Sequence, residues 1–200
     1  MSYRKLHRQQ GGFTLVELMI VMVIISVVSI SFFTFFKSSL FGYLDLQKSA
    51  SNFTDLAAQS HRVANVVRGT TDIIAAADDS FEAYAYFYPT DTYVSQIKYY
   101  LNATNTQLLA DVTPMSANPP IGSPITANKK TFTIIPSFKK VTGVKLFEYL
   151  NSSSTALTVP ISDVHTIKTI RINLAVQGAS SASNQAMTVE VGLRNRKTNL

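Results

Sequence analysis

Residues 13–36 read FTLVELMIVMVIISVVSISFFTFF, 24 positions dominated by apolar side chains and carrying one charge, the carboxylate of Glu17. At 1.5 Å per residue a helix of that length rises ~36 Å, enough to cross a ~30 Å hydrocarbon core with some tilt. No proline precedes Pro89, and Gly42 is the only glycine between residues 13 and 68, so nothing stops the helix at the membrane surface. Farther on, Leu46, Ala50, Phe53, Ala57, Ser60, Ala64 and Val67 recur at spacings of four and three. That is one stripe of an amphipathic helix, with Lys48, Asp55, Gln59 and Arg62 largely off it. Its small residues suit close packing against a sheet rather than a free coiled coil. Gly69 followed by Thr70, Thr71 and Asp72 predicts the stop. One helix from residue 13 to about 68 would be ~84 Å long.

Past the stop the period changes from 3.6 to 2. In 80–88, Phe81, Ala83, Ala85 and Phe87 alternate with Glu82, Tyr84, Tyr86 and Tyr88. Further strand-like runs cover 97–101, 107–112, 131–135, 144–150, 167–176 and 187–193. The clearest is the last but one, where Ile170, Ile172, Leu174 and Val176 alternate with Thr169, Arg171, Asn173 and Ala175. No helix between runs is long enough for a parallel crossover, so the strands form an antiparallel sheet packed on the helix stripe. The fold class is α+β. Residues 113–130, with Pro119 and Pro120, and 178–185 read as loops, neither long enough to divide the head.

The charge pattern bears on topology. Arg4, Lys5 and Arg8 precede the apolar run and only Lys37 follows closely, which keeps the N-terminus cytoplasmic by the positive-inside rule. A secretory signal also begins with a basic stretch, and Ser29 and Ser31 could pass for a cleavage pair, but signal cores span only ~7–15 residues. The segment therefore reads as a membrane span, with everything after it facing outward. Of the 18 basic residues, 15 remain beyond Arg8 against 12 acidic ones, so the external part is mildly basic. The absence of cysteine excludes disulfides, thiol nucleophiles and cysteine zinc sites.

Gly11, Gly12 and Glu17 are what a plain anchor does not need. Glycines ahead of a helix leave the backbone free to lie extended in a protease cleft. A carboxylate inside a membrane costs ~2.5–3.5 kcal/mol at mid-bilayer and less near the interface, and calls for a partner. One account is local: Thr14-x-x-Glu17 fits a capping box, with the negative charge favoured by the helix dipole. The other needs a cut. Cleavage after Gly12 would leave Phe13 with a cationic amine ~6 Å along the axis from Glu17, or within reach of the Glu17 of a staggered neighbouring helix, where the pair would fix axial register.

With its basic lead-in, GGFTLVELM closely resembles the prepilin cleavage and methylation motif of type IV pilins and type II secretion pseudopilins: a short basic leader ending in glycine, then Phe-Thr-Leu-x-Glu-Leu. The resemblance implies that a prepilin peptidase cuts between Gly12 and Phe13 and methylates the Phe13 amine, while Glu17 serves subunit recruitment and assembly. It implies as partners other pilin subunits, an inner-membrane platform with its assembly ATPase, and membrane lipid before assembly. The chain would then comprise a leader, 1–12; a transmembrane and filament-core helix, 13–36; an amphipathic spine, 37–69; and a β-rich head, 70–200. Many major pilins carry a helix-breaking proline where this chain has Thr34. That departure and the size of the head suggest a minor subunit; the ending, VEVGLRNRKTNL, is only faintly similar to the last strand of larger minor pilins and J-class pseudopilins.

Chemistry leaves few competitors. His7, His61 and His165 are scattered without metal-ligand spacing, Asp78, Asp79 and Asp91 could hold calcium in a loop although an acidic pair in a turn is more often simply solvated, and no phosphate loop, dinucleotide fingerprint, nucleophile elbow or HExxH occurs. No catalytic residue, metal or cofactor is expected. DNA is the sharper rival, because Lys139, Lys140, Arg194, Arg196 and Lys197 are basic and aromatics are numerous; most aromatics, however, fit the alternating core pattern rather than a stacking row. A single-pass membrane protein with an external binding head that never polymerises is the remaining alternative.

Overall fold

The computed structural model describes residues 12–176 and 185–194. The basic lead-in with His7 and Gly11, residues 177–184 of the second predicted loop, and Arg196 and Lys197 lie outside the described residues. The chain divides into two units, Met1–Leu46 and Gln47–Leu200, and one helix, α1 (Leu15–Arg68), contributes to both.

In the first unit every large apolar side chain from Phe13 to Leu46 is exposed. The helix runs unbroken through Thr34, whose hydroxyl donates to the Ile30 carbonyl at 2.8 Å. Ser26 and Ser31 bond back one turn in the same way, to Met22 and Val27. Each hydroxyl is thus satisfied inside the helix, which lowers its cost in an apolar surrounding.

In the second unit α1 buries Leu56, Ser60, Val63, Ala64, Val66 and Val67 against the head. Of the stripe expected from the sequence, Ser60, Ala64 and Val67 are buried, whereas Leu46, Ala50 and Phe53 are exposed. The covered face is turned toward Ser49, Asn52 and Gln59, all half-buried. Polar atoms there meet the head directly: Gln185 Nε2 donates to the Ser49 carbonyl at 2.9 Å, and Ser60 Oγ lies 2.9 Å from Met187 Sδ. Apolar periodicity cannot register a face held partly by such bonds.

Among the described residues the strands are all antiparallel, but they form two sheets instead of one. The first is a meander in chain order: β1 (Asp72–Ala76), β2 (Ser80–Ala85), β3 (Ser95–Leu101), β4 (Leu108–Pro114) and β5 (Lys130–Ile135). The second orders β6 (Phe147–Leu150), β7 (Thr169–Val176) and β8 (Gln185–Gly192). β1 escaped the sequence pattern because a register shift between Ile73 and Ala75 breaks the alternation, leaving Ile73 buried and Ile74 exposed. β6 begins later than expected because Val144 N donates to the Val141 carbonyl, closing a turn that holds Gly143 at φ 79°.

Both sheets share the core with α1. Phe81 packs on Phe147 and Tyr149 with ring centroids 5.8 and 6.4 Å apart. The Tyr149 hydroxyl lies 2.9 Å from the Ala77 carbonyl and 3.1 Å from that of Ser80, and Phe147 N donates to the Asp78 carbonyl at 2.9 Å. Ion pairs Lys145–Asp78 and Lys140–Asp79 close the same seam at the surface. Each fully buried aromatic or branched side chain contributes about 1.5–3 kcal/mol, so this junction is a large share of the stability of the head.

Candidate functional site

Gly12, Phe13 and Thr14 precede the first helical residue, Leu15. A Cβ built on Gly12 meets nothing within 4 Å, and Phe13 is 82 % exposed, so the Gly12–Phe13 bond lies in open, non-helical backbone. Thr14 starts the helix: its Oγ1 accepts from Glu17 N at 3.3 Å, and its carbonyl accepts from Leu18 N at 3.1 Å. This is the Thr half of the expected capping box. The Glu17 side chain is exposed, one turn from the open end. Because Phe13 lies ahead of the helix, its separation from Glu17 is set by two non-helical residues and not by helical rise alone.

From this start the apolar surface continues on every side of α1 to Phe36 without a buried residue. Water does not tolerate a continuous apolar cylinder, since soluble monomers expose patches of only a few hundred Å² (roughly 300–600). Length and composition suit α1 to a membrane, and an ordered array of like helices would cover it equally well.

The remaining candidate residues are dispersed. His61 and His165 are exposed on separate elements, Asp78 and Asp79 pair with lysines, and an Asp91 carboxylate oxygen accepts from Tyr88 N at 3.0 Å. Among the described residues no three His, Asp or Glu side chains gather as metal ligands. Charges on the outer faces of the sheets form cross-strand rows. Arg171 on β7 donates to Glu148 on β6 at 2.9 Å and to Glu190 on β8 at 2.6 Å, and its guanidinium is held above its usual range by those bonds, Glu190 first. Asp111 on β4 accepts from Thr131 at 2.6 Å and Tyr100 at 3.2 Å, and pairs with Lys129 at 2.7 Å. Burial alone would raise this carboxyl, but the Lys129 and Thr131 bonds outweigh it and hold it low.

The sequence reading missed a cleft of about 700 Å³ in the head, between the β2–β3 loop and the ends of β4 and β5. Tyr88 and Tyr93, 43 % and 44 % exposed, line it together with Asp91, Asn128, Lys130 and Phe132. Tyr88 continues the alternation of β2 at an outward position, and only the fold shows what it borders.

Residues 7–33 match the family model of the prokaryotic N-terminal methylation motif. No curated protein matches the chain. The matched stretch spans the open Gly12–Phe13 bond, the Thr14 cap, Glu17 and most of the apolar cylinder, and through it the chain carries the N-terminal signature of type IV pilins and pseudopilins.

Proposed function

We propose that this protein is a minor subunit of a type IV pilus or of a related secretion or competence filament. The observation that carries the reading is the continuity of the methylation motif with an apolar cylinder exposed over its whole length. The leader, 1–12, keeps the N-terminus cytoplasmic while residues 13–36 span the membrane. Prepilin peptidase cuts the open bond between Gly12 and Phe13, and the Phe13 amine is methylated. The new cationic amine supplies a counter-charge for Glu17, so cleavage licenses assembly. As the filament grows over the inner-membrane platform, the apolar cylinder exchanges lipid for neighbouring helices, and Glu17 sets the register of each incoming subunit. The head, carried outward on residues 37–69, contributes the surface; the unbroken helix at Thr34 and the size of the head favour a minor role.

Mass spectrometry of the mature chain tests this. A terminus at N-methyl-Phe13 supports the proposal, and an intact Met1 start in a strain with active peptidase overturns it, leaving a non-polymerising membrane protein with an external head.

A further inference from the structure

We propose that the cleft between the β2–β3 loop and the ends of β4 and β5 is a saccharide-binding site. Three observations converge there. First, its size, about 700 Å³, falls within the range of ligand sites, roughly 300–1,000 Å³. Second, the rings of Tyr88 and Tyr93 are exposed at its wall, although Tyr99 and Tyr149 are buried at 1 %. Third, the side chains of Thr92, Tyr93, Asn128 and Lys130 make no hydrogen bond or ion pair among the described residues. Unpaired donors and acceptors beside aromatic surface match a pyranose, whose C–H face packs on a ring while its hydroxyls take the polar groups at its edge.

The wall is built, not incidental. Phe87 and Phe132 stack with centroids 5.0 Å apart, and Tyr88 meets both edge-on at 4.9 and 6.4 Å. The Arg62 guanidinium, reaching from α1, lies 4.9 Å over Phe87 and 6.0 Å from Tyr88. Asp91 fixes the turn by accepting from Tyr88 N, and Asn118 Oδ1 accepts from Val94 N at 2.9 Å, tying the β2–β3 loop to the loop after β4. Tyr88 is therefore held in place before any ligand arrives, which reduces the ordering cost of binding. Tyr93 follows on the same tied loop.

Single-stranded nucleic acid also stacks on tyrosines, but it needs a cationic track for its phosphates. Here Lys130 and Asp91 are the charged residues of the lining, which therefore carries no net charge, and the neighbouring Lys129 is committed to Asp111. A neutral or weakly charged sugar suits the cleft better. The site lies wholly within the second unit, so it is independent of how the N-terminus is processed or assembled.

The test is an array of immobilised oligosaccharides, neutral and uronic-acid-bearing, probed with the full chain in micelles of a detergent without a sugar headgroup, with oligo(dT) as competitor. The expected result is retention of a related set of glycans, weakened at least about tenfold by Tyr93→Ala, largely preserved by Tyr93→Phe, and unaffected by oligo(dT). Circular dichroism and thermal melting of each variant exclude unfolding as the cause; should Tyr93→Ala fail to fold, Asn128→Ala, at an exposed turn, replaces it. Absence of glycan retention, retention indifferent to these substitutions, or displacement by oligo(dT) overturns the proposal.

Discussion

Tyr149→Phe isolates the seam between the two sheets. The ring is 1 % exposed and packs on Phe81, and its one hydroxyl proton is shared between the Ala77 and Ser80 carbonyls. Phenylalanine keeps the ring, so no cavity term arises. Ser80 O retains a donor in Ala77 N at 2.9 Å, so the substitution strands chiefly the Ala77 carbonyl. Losing the bond and leaving one half-buried acceptor short costs about 1–3 kcal/mol. At roughly 2–4 °C per kcal/mol for a domain of this size, the melting temperature of the full chain in micelles should fall by several degrees. Alkali supplies a second readout. Burial, and after it for Tyr149 the charge of Asp78, pushes the Tyr149 and Tyr99 phenols far above their ordinary 10.0, with Arg62 partly opposing the shift at Tyr99. The folded state thus favours the neutral phenols; their stabilisation is complete below the unfolded pKa and is lost as pH rises toward the folded value. Phenolate absorbance of these two residues should appear only with unfolding, and Tyr149→Phe should make the alkaline loss of stability shallower. A melting temperature within about 1 °C of the parent would refute the bridging role of this hydroxyl.

Asp111 has the opposite sign. Its folded pKa lies below the unfolded one, so its contribution is present above the unfolded pKa and disappears as pH falls through the folded value. Asp111→Asn should therefore flatten the acid limb of a denaturation-against-pH curve while changing neutral stability less. Gly122→Ala places a Cβ 1.8 Å from the Ala117 carbonyl oxygen, so the loop after β4 must shift; a destabilisation of about 1–3 kcal/mol in chemical denaturation is expected, and none would mean that the loop relaxes freely. Glu17→Gln keeps the Thr14 cap, because the Glu17 backbone N–H makes that bond, but removes the charge; it should lower incorporation into filaments by immunolabelling with helix content unchanged, and normal incorporation would defeat the ion-pair reading.

The sequence alone carried the features whose physics is local. A continuous apolar run, the absence of proline before Pro89, Thr14 as a cap, Gly69 as a stop and the Gly12-to-Glu17 motif need no distant partner to be legible, and the helix and the family signature follow from them. Alternation in β2 and in β7 up to Leu174 was equally plain because each residue pair reports its own face, whereas Ala175, read as outward, is buried. Tertiary structure decided what depends on partners far along the chain. β1 has a shifted register, intelligible only beside β2. The split into two sheets follows from a turn at 141–144 and from strands that choose different neighbours. The covered face of α1 turns toward Ser49 and Gln59 because the head supplies polar contacts there, which hydrophobicity cannot encode. The tyrosine cleft lies where the β2–β3 loop meets the ends of β4 and β5, with that loop tied by Val94 N to Asn118, 24 residues on, so no single stretch of sequence could show it.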